Sequence, residues 1–233
     1  MKILEVRNVT KTFKEVSLPV QALSDVSVDI EEGSFTALCG PSGSGKTTLL
    51  NLIGCLDRPS QGSILFENQE VGNLSQRKLT EFRLHKIGFI FQDYNLIPTF
   101  TAAENIEYIL WLQGVSAAER RERAKAVAER FGISHLLGRR PSQLSRGQQQ
   151  RVAVARAIVH KPKVVLGDEL TANLDHATGT ALMDFLQELN REEKMTFIYA
   201  SHDPVMVERA SRVIRMLDGK LMPVNEGQTA GKL

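Results

Sequence analysis

The chain has 233 residues, of which 42% are hydrophobic and 24% charged, the composition of an ordinary globular protein with room for one well-buried domain or for a large and a small lobe. Its net charge of +2 is too small to indicate a nucleic acid or an anionic membrane as partner, unless a local surface recognises one. No apolar run approaches the roughly 18 residues of a membrane span, and Cys39 and Cys55 have neither metal-site spacing nor a disulfide framework, so we expect a cytoplasmic location.

The N-terminal part of the chain is predicted to consist mainly of short strands. The segments ILEVRNV, VSVDI and SFTALC are β-rich, and the first of them lacks the apolar core of a signal peptide. The segment GKTTLLNLIGCL then has the closely spaced apolar residues of a buried helix. SILFENQEV predicts a surface strand pair, and KIGFIFQ predicts a further strand.

Helices are predicted to dominate between Thr101 and Ile158. One of them opens with a capping box, Ser116 to Glu119, and its many arginines and glutamates are most simply a solvated face. Strands return in KVVLGDE and MTFIYASHD, and RVIRMLDGKLM predicts a hairpin with Asp218 and Gly219 at its turn. Strands, then a helical insert, then strands predict an α/β core into which a helical subdomain is inserted.

The segment GPSGSGKT matches the pattern G-x-x-x-x-G-K-[ST] between a predicted strand and a predicted helix. Its glycines let backbone N–H groups turn inward around phosphate oxygens, and the helix start adds its positive dipole end. Lys46 is predicted to reach the β- and γ-phosphates, and the Thr47 hydroxyl is predicted to hold Mg²⁺. A glycine-rich turn that matches by chance is the alternative, which the strand–helix context disfavours. The predicted ATP-binding residues here are Gly40, Pro41, Ser42, Gly43, Ser44, Gly45, Lys46, Thr47 and Thr48.

Two acids end the strand in KVVLGDE. Asp168 follows an apolar run, as does the acid that binds Mg²⁺ in P-loop NTPases. Glu169 comes next, so its side chain is predicted to face an attacking water as general base, a role worth about 10²–10⁴-fold in rate. His202 ends the next apolar strand, at the sheet edge where ligands bind, and is predicted to contact the γ-phosphate. The alternatives are a strand end capped by two acids and a histidine that is structural or solvated.

The stretch QLSRGQQQR reads as a second helix start suited to anions, although a phosphate-binding segment already precedes it in the chain. Free backbone N–H groups and the positive dipole end at such a start attract a terminal phosphate. Ser145 and Gln148 also form the S-x-x-Q pattern of a capping box, which is a purely local interpretation. The two interpretations are compatible.

The motif order resembles that of the ATPase subunit of ABC transporters, from Ile3 to about Met222. The motifs are the P-loop, FIFQ, LSRGQQQR, VVLGDE, ANLD and ASHD. NLIPTFTAAENI and KEVSLPVQAL are most similar to the lipoprotein-releasing and macrolide-exporter-type branch. The resemblance implies an α/β fold, a P-loop NTPase (RecA-like) core with a mixed sheet, an antiparallel β subdomain and an inserted α-helical subdomain. The implied boundaries are one ABC ATPase domain over 1–225, its core and β subdomain at about 1–92 and 160–222, its helical subdomain at about 93–159, and a flexible polar tail over 223–233.

The resemblance also implies roles for single residues. Phe13 stands where the family has an aromatic residue that stacks on adenine, with an ordinary core phenylalanine as the alternative. Gln92 is implied to contact Mg²⁺ or the attacking water and to relay the nucleotide state to a membrane partner. Asp175 in TANLD is implied to couple the two sites of a dimer.

In ABC ATPases two subunits pack head to tail, and each ATP lies between the P-loop of one subunit and the signature helix of the other. The resemblance therefore implies residues that approach a γ-phosphate in trans, namely Ser145, Arg146, Gly147 and Gln148. Two departures from the family pattern stand out. Arg146 occupies a position where glycine is commoner, and its guanidinium would lie near phosphate or in solvent. Leu170 occupies a position where proline is usual, so we expect a looser loop after it.

We therefore expect an ATP- and Mg²⁺-dependent ATPase subunit that forms a homodimer and drives transmembrane permease subunits from the cytoplasmic face of the inner membrane. Export, extraction of lipid or lipoprotein, or mechanotransmission would be its task. The permease would dock near Gln92, where apolar residues are part core and part socket: Leu96, Ile97, Phe100 and Trp111. The main alternative is a soluble ABC ATPase acting on DNA or ribosomes. The compact helical insert and near-neutral charge disfavour it, and we expect no nucleic acid. A P-loop kinase would leave LSRGQQQR and ANLD unexplained.

Overall fold

The computed structural model describes residues 1–14 and 19–223. The predictions for 15–18, within KEVSLPVQAL, and for 224–233 of the polar tail lie outside the described residues. Elsewhere the elements are, in chain order, β1 (Lys2–Phe13), β2 (Val20–Glu31), β3 (Phe35–Cys39), α1 (Lys46–Ile53), β4 (Gln61–Phe66), β5 (Gln69–Glu70), α2 (Gln76–Lys86), β6 (Ile87–Ile90), α3 (Ala102–Leu112), α4 (Ala117–Arg130), short 3-10 turns at Ser134–Leu136 and Pro141–Gln143, α5 (Arg146–Ile158), β7 (Val164–Asp168), α6 (His176–Glu193), β8 (Thr196–Ser201), α7 (Pro204–Val207), β9 (Arg212–Leu217) and β10 (Lys220–Leu221).

A six-stranded sheet forms the centre of the fold, in the order β10-β9-β3-β8-β7-β6. The strands from β9 to β6 are parallel, and β10 returns antiparallel to β9 through Asp218 and Gly219, both with positive φ. Every residue of β3 and β8 is buried, as expected for parallel strands covered on both faces. The mixed sheet and the C-terminal hairpin are therefore confirmed.

A smaller antiparallel sheet has the order β2-β1-β4-β5. Its last two strands are joined by Glu67 and Asn68, both with positive φ, which confirms the predicted strand pair. The apolar faces of this sheet and of α1 pack in one buried cluster with the large sheet, which includes Leu4 of β1, Leu49 of α1 and Ile198 of β8. This packing places the start of α1 between the two sheets.

The helices α3, α4 and α5 contribute to a second buried cluster, on the other face of the large sheet. Their cluster contains Ile106 of α3, Ala128 of α4 and Val154 of α5. It also contains Leu186 of α6 and Tyr199 of β8. The helical insert thus shares one continuous apolar core with the sheet, and its boundaries at about 93–159 stay a prediction. No helix in the described part of the chain has the length and apolar character that crossing a bilayer requires.

The predicted capping box of α4 is only half formed. The Ser116 hydroxyl accepts a hydrogen bond from the Glu119 backbone N–H at 3.4 Å. The Glu119 carboxylate does not return a bond to Ser116, because it pairs with Arg123 one turn along the helix. In α3 the box is complete, since Thr101 and Glu104 each accept a hydrogen bond from the backbone of the other.

A fully buried asparagine holds the segment between β6 and α3 in place. Asn105 accepts a hydrogen bond from the backbone N–H of Ile97 at 2.8 Å. Its amide nitrogen also donates to the carbonyls of Ile97, Phe100 and Thr101 at 3.2, 3.3 and 3.0 Å. One side chain therefore satisfies the polar backbone groups of a loop that has little secondary structure.

We expect Asn105→Ala to lower the free energy of unfolding by about 2 kcal/mol, because it leaves several buried backbone groups without partners. Urea titration measures the loss. The control is Glu122→Ala, which removes an exposed carboxylate with no ion pair among the described residues. An effect of Asn105→Ala no larger than that of the control would contradict this role.

Candidate functional site

The loop between β3 and α1 packs closely enough to exclude side chains at two of its glycines. A Cβ atom on Gly40 would lie 2.1 Å from the carbonyl oxygen of Met216. Gly45 has φ +98°, and its Cβ would lie 2.7 Å from the carbonyl oxygen of Ala22. The left-handed conformation and these close contacts require glycine. The loop therefore follows the curved path that the G-x-x-x-x-G-K-[ST] pattern predicts.

The side chain of Lys46 folds back along this loop. Its ammonium donates to the carbonyls of Gly40 and Pro41 at 2.8 and 2.9 Å. It makes no ion pair with a carboxylate in the described part of the chain. The Ser44 hydroxyl is buried there without a hydrogen-bond partner among the described residues. An unpaired cation and an unsatisfied buried hydroxyl fit a polyphosphate, which would satisfy both.

Asp168 ends β7 next to this loop. Burial raises the pKa of its carboxyl group, and the neighbouring Glu169 carboxylate raises it further. Polar interaction with the nearby Thr47 hydroxyl and the charge of the Lys46 ammonium act in the opposite direction. A hydroxyl and a carboxylate that meet in this way suit Mg²⁺, which prefers oxygen ligands and usually shares its shell with water and phosphate. The described residues contain no group of three His, Cys, Asp or Glu side chains able to hold a metal by themselves.

Glu169 and His202 face each other at the same edge of the sheet. The Nδ1 atom of His202 lies 2.9 Å from the Glu169 carboxylate. The backbone of Glu169 is left-handed, with φ 49°, a conformation that costs about 1–3 kcal/mol. The Glu169 N–H donates to the carbonyl of Ala200 in β8 at 3.1 Å. The mostly buried Glu169 carboxylate is thus held next to the exposed His202 imidazole. The sequence analysis gave each residue a role but did not predict that they contact each other.

The start of α5 has the predicted capping box. The Ser145 hydroxyl accepts from the Gln148 N–H at 3.3 Å, and the Gln148 side chain accepts from the Ser145 N–H at 2.9 Å. A Cβ atom on Gly147 would lie 3.0 Å from the methyl group of Thr178, so glycine allows α5 and α6 to approach each other.

A cleft of about 500 Å³ opens at this point, lined by residues 145–148, 151, 173–175 and 178. Residues 40–48 do not line it. Within one copy of the chain, the two helix starts that suit anions therefore belong to separate surfaces.

The loop that contains ANLD connects this cleft to Gln92. Asp175 caps α6, because its carboxylate accepts hydrogen bonds from the N–H and the hydroxyl of Thr178 at 3.0 and 2.6 Å. These bonds lower the pKa of Asp175. The side-chain amide of Asn173 donates to the carbonyl of Gln92 at 3.0 Å. Gln92 itself is exposed, so its side chain is available to a ligand.

Phe13 is 40% exposed at the end of β1, so the core alternative for this residue is wrong. The ammonium of Lys11 lies 4.9 Å from the centre of its ring. An exposed ring beside a cation suits stacking on a base whose phosphates lie nearby. Its contact with adenine stays a prediction.

Two polar side chains of α5 were missed by the sequence analysis. Arg156 donates to the carbonyls of Asn95 and Tyr94 at 2.6 and 2.7 Å, two residues with positive φ that closely follow Gln92. Burial lowers the pKa of Arg156 to about 10, so it stays cationic at neutral pH. Gln150 is the other residue. Both interrupt an otherwise apolar helix face, which is the signal that could have identified them.

Leu170 does not behave as we expected from its departure from the family pattern. Its side chain is buried and packs over Gly167, whose Cβ would lie 2.5 Å from it. Its carbonyl accepts a hydrogen bond from Gln150. The loop is therefore anchored at Leu170 rather than loosened there. Arg146, the other departure, is exposed.

Comparison with known proteins identifies similar chains. The model of the ABC transporter family matches residues 23–172. The ABC transporter ATP-binding protein YxdL of Bacillus subtilis is 45% identical over 219 residues, which are 94% of this chain and 85% of that protein. The macrolide export ATP-binding/permease protein MacB of Syntrophobacter fumaroxidans is 43% identical over 225 residues, which are 96% of this chain and 32% of that protein. This chain thus spans about a third of MacB.

Solved structures give the same result. The ATP-binding cassette MJ0796, from Methanocaldococcus jannaschii, has a dimeric structure in a post-hydrolysis state bound to ADP and Pi. It superposes with a TM-score of 0.89 and 41% identity, over 94% of this chain and 97% of that one. The predicted P-loop NTPase fold is therefore confirmed.

Replacing Asp168 and replacing Asp175 by asparagine should change the thermal stability in opposite directions. Because burial raises the folded-state pKa of Asp168, ionising it costs stability as the pH rises from its unfolded pKa through its folded pKa. Asp168→Asn avoids this cost, so we expect it to raise the midpoint of thermal unfolding at pH 8. The gain should narrow as the pH falls towards about 4, the usual pKa of aspartate.

Asp175→Asn is the matched control of opposite sign. Hydrogen bonds lower the pKa of Asp175, so the stability that they provide is present at pH 8 and is lost as the pH falls through the folded pKa. The substitution should lower the midpoint at pH 8 and have little effect in acid. Calorimetry of both variants from pH 8 to about pH 2, which passes below the usual pKa of aspartate, measures the two trends. Shifts of the same sign at pH 8 would contradict the assignment.

Proposed function

Since the chain belongs to the ABC transporter family and is an ATP-binding and ATP-hydrolysing subunit, we propose that two copies assemble head to tail on transmembrane permease subunits at the cytoplasmic face of the membrane. The observation that carries this proposal is the separation of the two anion-binding helix starts. The cleft at Ser145 has room for a ligand but contains no residue of the P-loop. A second copy would supply the missing side of each site.

The chemistry of each half supports a composite site. The P-loop offers a cation, a buried hydroxyl and backbone N–H groups, and the α5 start adds an exposed Ser145 and the positive end of a helix. A triphosphate held by the partner's Lys46 would present its γ-phosphate to the Ser145 hydroxyl. The dimeric structures of MJ0796 support this arrangement.

Mg²⁺ would be held by Thr47, Asp168 and Gln92 together with phosphate oxygens. When bound, Mg²⁺ neutralises charge on the phosphates. Glu169 would orient the attacking water and accept its proton, which is the role of a general base. His202 lies within hydrogen-bonding distance of the Glu169 carboxylate. It would keep that carboxylate in position and contact the γ-phosphate.

The proposed dimer would work as a switch that depends on the terminal phosphate. Two copies would close around two ATP molecules, because each γ-phosphate contacts both copies. Hydrolysis would remove that bridge, and the copies would separate. Gln92 and Asp175 lie where this change would be passed on, since the loop of Asp175 bonds to the Gln92 backbone through Asn173.

A membrane-embedded permease fits better than a soluble target. MacB combines ATP-binding and permease parts in its name, and this chain aligns with a third of its length. A partly exposed aromatic group also lies on the segment and the helix that follow Gln92. It consists of Phe100, Tyr108 and Trp111, and the last of these is 58% exposed. Export of a macrolide-like compound, lipid or lipoprotein is the task we propose. Action on DNA or ribosomes is the alternative. It would be favoured if no multi-span membrane protein purified together with this chain.

Glu169→Gln tests the general base. It keeps the shape of the side chain but removes its basicity, so we expect hydrolysis to fall by about 10²-fold or more while ATP binding persists. An ATP-bound dimer should then accumulate on size-exclusion chromatography. Glu70→Gln, an exposed glutamate of β5, is the control. Turnover of Glu169→Gln at the wild-type rate would eliminate Glu169 as the base.

Mixing two inactive variants tests the composite site. Lys46→Ala removes a charge-assisted phosphate contact, and Ser145→Arg blocks the α5 start, so each variant alone should hydrolyse ATP slowly. A mixed dimer retains one intact site, composed of the P-loop of one copy and the α5 start of the other. We expect measurable recovery of activity in the mixture. No recovery at any ratio, with dimers shown to form, would count against the head-to-tail geometry.

A further inference from the structure

A single buried hydrogen bond joins α5 to the loop that carries the predicted general base. The side-chain nitrogen of Gln150 donates to the carbonyl of Leu170 at 2.9 Å. Gln150 is 1% exposed. Leu170 follows Glu169 directly, so this bond fixes the second peptide group after the proposed general base.

The backbone at Glu169 needs such support because it is left-handed, a conformation that persists only when its surroundings impose it. On one side, the Glu169 N–H is bound to Ala200 of β8. On the other side, the Leu170 side chain packs against Gly167 and its carbonyl is bound by Gln150. A glycine at position 167 leaves the space that Leu170 fills. The general base is thus held between β8 and α5.

The chemistry of the Gln150 amide argues against a role in stability alone. Its side-chain oxygen is buried and has no hydrogen-bond partner among the described residues. Burying that oxygen opposes the benefit of the bond from the nitrogen. An apolar residue of similar length would fill the same space without this cost. What the amide supplies in addition is a donor directed at one carbonyl.

We propose that Gln150 is a positioning residue for ATP hydrolysis, which sets the backbone of Glu169 in its own copy of the chain. It lies five residues after Ser145, or about 7.5 Å along α5. If the composite site of the proposed function forms, the same helix contacts the γ-phosphate in one site and positions the general base of the other. The proposal rests on the proposed function, in which Glu169 is the general base. The link between the two sites rests in addition on the composite site, whereas the bond from Gln150 to Leu170 lies within one chain.

Gln150→Met tests the positioning role, because methionine keeps the length and the buried surface of glutamine but removes the donor. We expect kcat to fall about tenfold from a small displacement of Glu169. The affinity for a fluorescent ATP analogue should stay within about twofold. The urea concentration at half-unfolding should change by less than about 1 M. Gln150→Glu is the second variant. It keeps the shape but, when ionised, has no donor for the Leu170 carbonyl, so at alkaline pH it should lower kcat at least as much.

Gln149→Met is the matched control on the same helix. The Gln149 amide donates to the carbonyls of Pro141 and Leu144 at 3.1 Å each, and none of its hydrogen bonds to described residues goes to Leu170. The Gln149→Met variant loses the same kind of hydrogen bond as Gln150→Met. We expect its kcat to be several times higher than that of Gln150→Met. Equal kcat values for the two methionine variants, or a loss of affinity without a loss of kcat, would overturn the proposal.

The mixed dimer shows in which copy Gln150 acts. Its one intact site takes Glu169 from the Ser145→Arg copy and Ser145 from the Lys46→Ala copy. Gln150→Met should lower the recovered kcat when placed in the Ser145→Arg copy and not when placed in the other. The reverse pattern, or equal loss from both placements, would overturn the proposal. No recovery before Gln150 is changed would instead contradict the composite site, and the homodimer measurements would still decide the role of Gln150.

Discussion

The parallel pairing of β3, β7 and β8 is the constraint on which the candidate site depends. In register, Cys39 of β3 lies opposite Ser201 of β8, and Asp168 of β7 lies opposite Ala200 of β8. Three loops that are far apart in sequence therefore leave the sheet at one edge. They bring together Lys46 of the P-loop, Asp168 at the end of β7 with the Glu169 that follows it, and His202. No local interaction would do so, because the loops meet only after both long-range pairings have formed.

The second half of the site depends on a different element. The helix α5 begins at the cleft that we assign to the γ-phosphate of a partner copy, and its buried face is bonded to two loops of its own copy. Arg156 holds the turn after Gln92, and Gln150 holds the turn after Glu169. A helix is stiff over this length, so a displacement of its N-terminus would also displace the turns after Gln92 and after Glu169. This is a physical route by which closure of the proposed dimer would be linked to the position of the proposed general base.

The sequence predicts the parts of the site that carry their own local pattern. The P-loop stands between a clear strand and a helix, and Ser145 and Gln148 form a box that the structure confirms. It does not predict contacts whose partners are distant in the chain, such as Gln150 with Leu170. Helix α2 was missed because Leu79 is its only buried residue, which leaves no apolar period. Helix α6 has such a period at Leu182, Leu186 and Leu189 and could have been predicted. The predicted capping box of α4 is only half formed, because the Glu119 carboxylate pairs with Arg123 instead.

The most direct test of the account is a structure of the Glu169→Gln variant with ATP and Mg²⁺. The account predicts a dimer in which the Ser145 hydroxyl of each copy lies within hydrogen-bonding distance of the γ-phosphate held by the partner's Lys46. A closed monomer with Mg²⁺ and ATP bound, whose Ser145 is far from every phosphate, would contradict it.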